Sequence, residues 1–143
     1  RTSATTNALS STDQPANGDF ILAPNSPYDW RSPENNNLWQ GINGVNNPCP
    51  SGYRLPSEAE WEAERLSWSS NNSTGAFGSP LKLPRAGQRW SNLGVVGSTG
   101  SNGQCWSSTV NGINSRDLTF NGSNANITLN NRADGSSVRC IKN

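Results

Sequence analysis

Apolar side chains fall into three different patterns along the chain. Residues 1–19 contain a single large apolar residue, Leu9, among Ser, Thr, Ala and Asn. Residues 57–69 carry apolar side chains at helical spacing, and the residues after 80 form short apolar runs separated by Asn-Gly and Asp-Gly pairs. One helix followed by a set of short strands predicts an α+β fold with twisted antiparallel strands and long loops.

The helix is predicted to start at Ser57, because Ser57 and Glu60 form the S-x-x-E capping box. It is expected to end by about Ser69, where the polar stretch SSNNSTG takes over. Two adjacent rows have the spacing of a buried helix face: Ala59, Ala63 and Leu66, and Trp61, Arg65 and Trp68. We therefore expect Trp61 and Leu66 to face the core and the glutamates to face solvent.

The other apolar runs are short and have the alternation or β-branched content of strands. The strand candidates are Phe20–Ala23, Leu81–Leu83, Val95–Val96, Gln104–Val110, Arg116–Phe120, Asn126–Leu129 and Ser136–Lys142. Asn-Gly pairs at 111–112 and 121–122 separate the central candidates and favour tight turns, since both residue types tolerate positive φ.

The composition favours an extracellular protein over a cytosolic or nucleic-acid-binding one. Charged residues make up 15% of the chain, the net charge is +1 and mean hydropathy is −0.74. Solubility then rests on amides and hydroxyls, including 21 Asn side chains, which suits an extracellular or bacterial cell-surface location. No basic stripe is present to neutralise phosphates, and no apolar run approaches the roughly 20 residues that span a bilayer. We expect neither a nucleic-acid partner nor a membrane span.

The absence of His from the chain removes the Ser-His-Asp and Cys-His arrangements of nucleophilic catalysis. The three cysteines, Cys49, Cys105 and Cys140, form no C-x-x-C pair, so the usual zinc ligands are missing. One disulfide and one odd thiol is the more natural interpretation. We expect no catalytic residue, no metal site and no cofactor.

Residues 1–19 are predicted to form an extended N-terminal arm, and residues 20–143 the globular domain. A polar segment of this kind is ordered only where something holds it. It either lies along its own domain as an edge strand or packs into a neighbouring copy, which an extended arm of about 60 Å could reach. In the second case Ala4, Ala8 and Leu9 would set the register of the added strand.

Three tryptophans outside the helix admit two interpretations. Trp30 and Trp39 lie in a long irregular segment, and Trp90 lies in a later loop. Tryptophans in such loops usually bury against a core, whereas exposure on one shared face would indicate ligand binding.

Four Asn-x-Ser/Thr sequons lie in predicted loops or strand edges, where an attached glycan would fit. They are at Asn71, Asn72, Asn121 and Asn126. An Asn-rich chain also produces such triplets by chance, so the sequons mark possible glycosylation sites only.

Four segments together resemble a known family. They are NPCPSGYRLPSEAEWE (47–62), LKLPRAG (81–87), CWSST (105–109) and RADGSSVRCIKN (132–143). In this order they are similar to the Fibrobacter succinogenes major paralogous domain, which is itself similar to the formylglycine-generating sulfatase-modifying group and so to the C-type-lectin-like fold. The resemblance extends from about Trp39 to the C-terminus.

The resemblance implies a secreted or surface-attached bacterial protein without an established activity. It implies that Trp61 fills the core, that Trp106 lies in a central strand, and that Cys49 and Cys140 form a disulfide. Cys105 departs from the family pattern and is expected as a buried free thiol. The related enzymes use a pair of cysteines near their C-terminal end, where this chain has Cys140 alone, so their activity does not carry over.

Two functions fit these observations. The first is a non-catalytic subunit of a filament or surface assembly, in which the arm adds a strand to the next copy and joins copies head to tail. The alternative is a monomeric lectin-like binding or adhesion module that recognises glycan or protein. An oxidising enzyme would need a reactive dithiol.

Overall fold

The structure, a computed structural model, describes residues 4–143. Its helices are α1, Glu58–Leu66, and α2, Ser73–Gly78. Its strands are β1 Thr5–Thr6, β2 Phe20–Ile21, β3 Tyr53–Arg54, β4 Gln88–Arg89, β5 Val96–Gly97, β6 Gly103–Asn111, β7 Asn114–Phe120, β8 Ala125–Asn131 and β9 Ile141–Lys142. The strand pairings in this part of the chain are antiparallel, except for the parallel pair β1–β2. The predicted α+β class, with short antiparallel strands and few helices, is confirmed.

Strands β6, β7 and β8 form a three-stranded meander at the centre of the fold. The predicted strands over 104–110, 116–120 and 126–129 are confirmed, each one or more residues longer than expected. Gly112 in the β6–β7 turn has φ +58°, which is the left-handed conformation that the Asn-Gly signal predicts. Local turn chemistry therefore specifies the connection between β6 and β7.

One face of the meander packs against α1 to form the core. Leu118, Phe120 and Ala125 are fully buried there, together with Trp61 of the helix. Trp68 meets Phe120 edge to face, with ring centroids 5.9 Å apart.

The start of α1 is fixed by the predicted capping box. The Ser57 hydroxyl accepts from the Glu60 N–H, and the Glu60 carboxylate accepts from the Ser57 N–H at 2.8 Å. Arg54 holds the same carboxylate through two hydrogen bonds of 2.8 and 2.7 Å, and this pairing lowers the pKa of Glu60 to about 2. The residues that precede α1 therefore set where the helix begins and how the chain passes from β3 into it.

The prediction of which side chains of α1 face the core is right for one row and wrong for the other. Trp61 is buried as expected, but Leu66 is 69% exposed, and Ala59 and Ala63 also face solvent. Burying the row that contains the two large indoles removes far more apolar surface from water than burying two alanines and a leucine. Arg65 lies in that inner row, with its guanidinium paired to Glu62 and its stem covering apolar surface.

Several shorter elements also differ from the predictions. The stretch SSNNSTG, expected as a loop, contains the start of α2, whose N-cap is Asn72. Leu81–Leu83 is not a strand, although Leu83 is buried. The candidate Ser136–Lys142 is a strand only at β9, and Phe20–Ala23 only at β2. These segments are held by side-chain packing and isolated backbone bonds instead of a ladder.

The Cys49–Cys140 disulfide is confirmed, and its partners are 91 positions apart in sequence. It lies beside the pairing of β3 with β9, where Tyr53 opposes Lys142 and Arg54 opposes Ile141. Two residues per strand give a weak ladder, so the covalent link stabilises the attachment of the last strand. A structural disulfide is consistent with an extracellular protein.

We predict that Trp61→Phe lowers the free energy of unfolding by about 1–3 kcal/mol, because it removes buried apolar area and the hydrogen bond from Trp61 Nε1 to the Trp106 carbonyl. Leu66→Ala is expected to change stability by less than about 0.5 kcal/mol. Urea unfolding followed by circular dichroism measures both. An equal or larger loss for Leu66→Ala would mean that the helix is rotated relative to the structure.

Replacing both bridged cysteines, Cys49→Ala with Cys140→Ala, is expected to cost about 4–5 kcal/mol, since opening a loop of this length restores chain entropy to the unfolded state. Cys105→Ala is the matched control and should cost about 1 kcal/mol, the loss of one small buried group. Urea midpoints under non-reducing conditions compare the two. Equal effects would contradict a native 49–140 bridge.

Candidate functional site

The N-terminal arm lies along its own domain. Strand β1 pairs in parallel with β2, with Thr5 opposite Phe20 and Thr6 opposite Ile21. Phe20 N–H donates to the Ala4 carbonyl at 3.1 Å, and Leu22 N–H donates to the Thr6 carbonyl at 2.8 Å. The first attachment of the arm therefore consists of backbone hydrogen bonds.

A second attachment follows at Ser10. Its N–H donates to the Trp30 carbonyl at 2.9 Å, and its carbonyl accepts from Ser32 N–H at 2.8 Å. Asp13 then forms an ion pair with Arg31 at 2.7 Å. Residues 14–18 after this point are exposed.

These contacts bear on the two predicted positions of the arm. In the single chain the arm is an edge strand of its own domain, which is one of the two alternatives. Ala4, Ala8 and Leu9, predicted to set the register in a neighbour, are all exposed and enter no pocket of their own domain. Residues 1–3 of the predicted arm lie outside the described residues.

The β4–β5 hairpin beside the arm exposes a group of large apolar side chains. Leu93, Val95 and Val96 are each more than half exposed, and Trp90 is 39% exposed. A Cβ atom at Gly94 would meet the Thr5 side chain at 2.6 Å, so the arm and the tip of the hairpin touch. We refer to Trp90, Leu93, Val95 and Val96 as the apolar hairpin patch; exposed apolar patches of this kind mark interaction surfaces.

Trp30 and Trp39 converge on one groove between the arm and the irregular segment. An open cavity of about 560 Å³ and a small inner cleft of about 40 Å³ share these two tryptophans and Arg132. We define the aromatic groove by Trp30, Trp39, Arg132, Asp13, Asp19 and Asn46. Both tryptophans are half-buried, which lies between the two interpretations, burial against a core and exposure on one face.

The backbone holds Trp39 in an unusual conformation. Its φ is +62°, which costs energy for a residue with a large side chain and persists only where the surroundings enforce it. The enforcing contact is the bridge between Leu38 and Val45, in which Trp39 N–H donates to the Val45 carbonyl at 2.8 Å.

Arg132 crosses the base of the groove from the far end of the chain. Its guanidinium contacts Asp29 at 3.3 Å, lies 3.9 Å from Glu34 and donates to the Asn36 side chain at 2.6 Å. Its Nε–H is buried and has no hydrogen-bond partner within residues 4–143. Burial raises the pKa of Asp29, and the neighbouring guanidinium opposes that rise.

Asp117 lies on the face of the meander opposite the core and is fully buried. Its carboxylate accepts from Thr128 Oγ1 at 2.6 Å and from Asn130 Nδ2 at 3.1 Å, and burial raises its pKa. Asn130 Nδ2 also donates to Gln88 Oε1 at 3.2 Å, which attaches β4 to the sheet. This network is enclosed and internally satisfied, so its role is structural.

Cys105 is the free thiol and is buried, as the sequence predicts. Burial first, and the nearby Asp117 second, raise its pKa to about 12. A thiol in this state is not a nucleophile at neutral pH.

Among the residues that the structure describes, no group of three or more His, Cys, Asp or Glu side chains is placed to hold a metal ion. In the same range, no helix has the length and apolar character needed to cross a membrane.

The four sequon asparagines occupy different environments. Asn72 Oδ1 caps α2 by accepting from the N–H groups of Thr74 and Gly75. Asn121 Oδ1 shapes the β7–β8 turn, and Asn71 Oδ1 accepts from Arg65. Asn126 is exposed on β8. A glycan attaches through the amide nitrogen, whereas these contacts use the amide oxygen of Asn71, Asn72 and Asn121. All four residues therefore remain candidates, and Asn126 is exposed with no such contact.

Comparison with known proteins found no matching family model, no matching curated protein and no matching solved structure.

We predict that Ellman's reagent titrates less than about 0.1 thiol per chain in the native protein over an hour, and about one in 8 M urea, because Cys105 is buried and protonated. Cys105→Ala should then give no signal in either condition. Two reactive thiols in the native state would contradict the disulfide and restore the dithiol enzyme as a hypothesis.

Proposed function

We propose that this chain is a non-catalytic extracellular bacterial surface protein with a C-type-lectin-like fold, and that it builds a surface assembly by exchanging its N-terminal arm between copies. The observation that supports exchange is the way the arm is attached. The bonds at Ala4, Thr6 and Ser10 use backbone groups of an edge strand, and the arm of another copy can make all of them equally well.

The last part of the arm, ahead of β2, permits exchange. Residues 14–18 are exposed and form no hydrogen bond to the domain within the described part of the chain. Five extended residues span about 17 Å, enough to redirect the arm towards a neighbour. If each copy gives its arm to the next, the contact is head to tail and does not close on itself, which produces a filament.

The apolar hairpin patch supplies the driving force that exchange alone lacks. Moving the arm from its own domain to a neighbour conserves the arm's hydrogen bonds, so the free energy of association comes from newly covered surface. Leu93, Val95 and Val96 lie where the arm touches Gly94, and a neighbour that donates its arm would lie over them. Burying apolar surface yields about 25 cal/mol per Å².

The non-catalytic part of the proposal rests on chemistry. The chain has no His, and Cys105 is enclosed and protonated. The disulfide favours an oxidising compartment, outside the cytosol. The disulfide also joins the first quoted motif to the last, the arrangement that the lectin-like resemblance implies.

A binding or adhesion module is the second candidate function. The observation that favours it is the convergence of Trp30 and Trp39 on one groove beside the arm.

Cysteine pairs at the arm test the proposed exchange. In the register of β1 and β2, Thr5 lies opposite Phe20, so Thr5→Cys and Phe20→Cys place two thiols within disulfide range. When the two single variants are mixed and oxidised, exchange predicts a cross-linked heterodimer on non-reducing gels. The double variant should give a ladder of linked chains that reductant dissolves.

The matched control mixes Thr5→Cys with Leu129→Cys, since Leu129 is half exposed on β8 and outside the β1–β2 pairing; this mixture should not cross-link. Electron microscopy of the intact chain and of a chain lacking residues 1–13 provides the second readout. Filaments should be present in the first and absent from the second. A double variant that forms only an intrachain disulfide, with dispersed particles by microscopy, would overturn the proposal.

A further inference from the structure

We propose that the aromatic groove binds a neutral carbohydrate chain. This inference rests on the second candidate function, binding, and does not depend on arm exchange.

The size of the groove fits an extended ligand. The open part, of about 560 Å³, falls within the range of ligand sites in proteins, and the inner cleft continues it past Trp30, Trp39 and Arg132. The groove is open along its length, which suits a chain of sugar units better than a compact small molecule.

The indoles of Trp30 and Trp39, unlike those of the core tryptophans, have groups that a ligand can use. The N–H groups of Trp61 and Trp68 are used internally, by the Trp106 carbonyl at 3.0 Å and by Glu64 Oε1 at 3.0 Å. Neither Trp30 nor Trp39 donates such a bond within residues 4–143. An indole offers an apolar face for the C–H side of a pyranose and an N–H donor for its hydroxyls.

The polar groups around the indoles suit hydroxyl ligands. Asn46 and Asp19 line the groove, and their side chains form no hydrogen bond with other residues of the described range. Asp13 uses Oδ1 for Arg31 and Asn35, which leaves Oδ2 to accept. Hydroxyl groups donate and accept at once, and so can pair with this mixed set.

The charges of the groove decide against an acidic ligand. Arg31 is already paired with Asp13, and Arg132 with Asp29 and Glu34. The charged lining residues that form no ion pair in the described range are Asp19 and Asp134, both carboxylates. A uronate or a phosphate would be repelled by this negative charge and would find no unpaired cation, whereas a neutral sugar is not repelled.

The test titrates the full chain with cellohexaose, maltohexaose and chitohexaose (N-acetylated), and with hexagalacturonate as the acidic counterpart, by calorimetry and tryptophan fluorescence. We expect at least one neutral hexasaccharide to bind, at least tenfold more tightly than hexagalacturonate. Binding should persist in EDTA, because the groove works without a metal.

Trp39→Ala and Trp30→Ala should each weaken the binding at least tenfold. Phe77→Ala is the matched control, an exposed aromatic residue outside both the groove and the apolar hairpin patch, and should bind as the unaltered chain does. Trp39→Phe keeps a ring and is expected to retain part of the affinity, and a melting curve on each variant identifies loss of fold.

The inference is overturned if no neutral hexasaccharide binds at millimolar concentration, if hexagalacturonate binds best, or if the Phe77 variant loses as much affinity as the groove variants. Capture of a peptide in place of any sugar would also overturn it. The cross-linking experiment reports arm exchange alone, so the two proposals fail independently.

Discussion

Trp61 is the side chain on which the packing of this fold depends. It is fully buried, and its indole N–H donates to the Trp106 carbonyl in β6, so the helix and the meander are held by both apolar contact and a directional bond. The capping box and Arg54 then fix how the helix enters this position. Leu118 and Phe120 of the meander belong to the same buried cluster as this indole.

The second face of the meander combines the buried Trp106 with amides and hydroxyls around Asp117. Within residues 4–143 Asp117 forms no ion pair, and Thr128 and Asn130 donate to its carboxylate. An arrangement of this kind tolerates little change, because a missing donor would leave a charged group unpaired in a dry interior. The abundance of Asn in the chain therefore has an internal use as well as a surface one.

The sequence predicted the elements that local chemistry determines. The capping box gave the start of α1, and alternation with Asn-Gly turns gave β6 to β8. It did not predict β3, since two residues at 53–54 become a strand only when 141–142 lie beside them, and it predicted β9 as part of a longer strand, Ser136–Lys142. The face of α1 was misjudged because spacing treats Ala63 and Trp61 alike, although their apolar areas differ severalfold.

The candidate sites divide in the same way. The arm and the loop tryptophans could be recognised in the sequence, because the composition of a segment can be read without knowledge of the fold. The groove could not be recognised in the sequence. Arg132 lies about a hundred residues from its partner Asp29, and Trp39 lines the groove with a positive φ that its residue type does not predict. Asp117 carried no signal at all within its strand.

The disulfide between Cys49 and Cys140 also determines which parts of the chain stay covalently joined after proteolysis. A protease that cuts once anywhere between these residues leaves both pieces on one particle, still joined through sulfur. A single cut ahead of Cys49 has the opposite effect, because it leaves the arm with no covalent link to the domain, and a cut between Trp39 and Cys49 also detaches Trp30 and Trp39. The arm and the two groove tryptophans can therefore be lost by one cleavage, whereas the apolar hairpin patch stays attached.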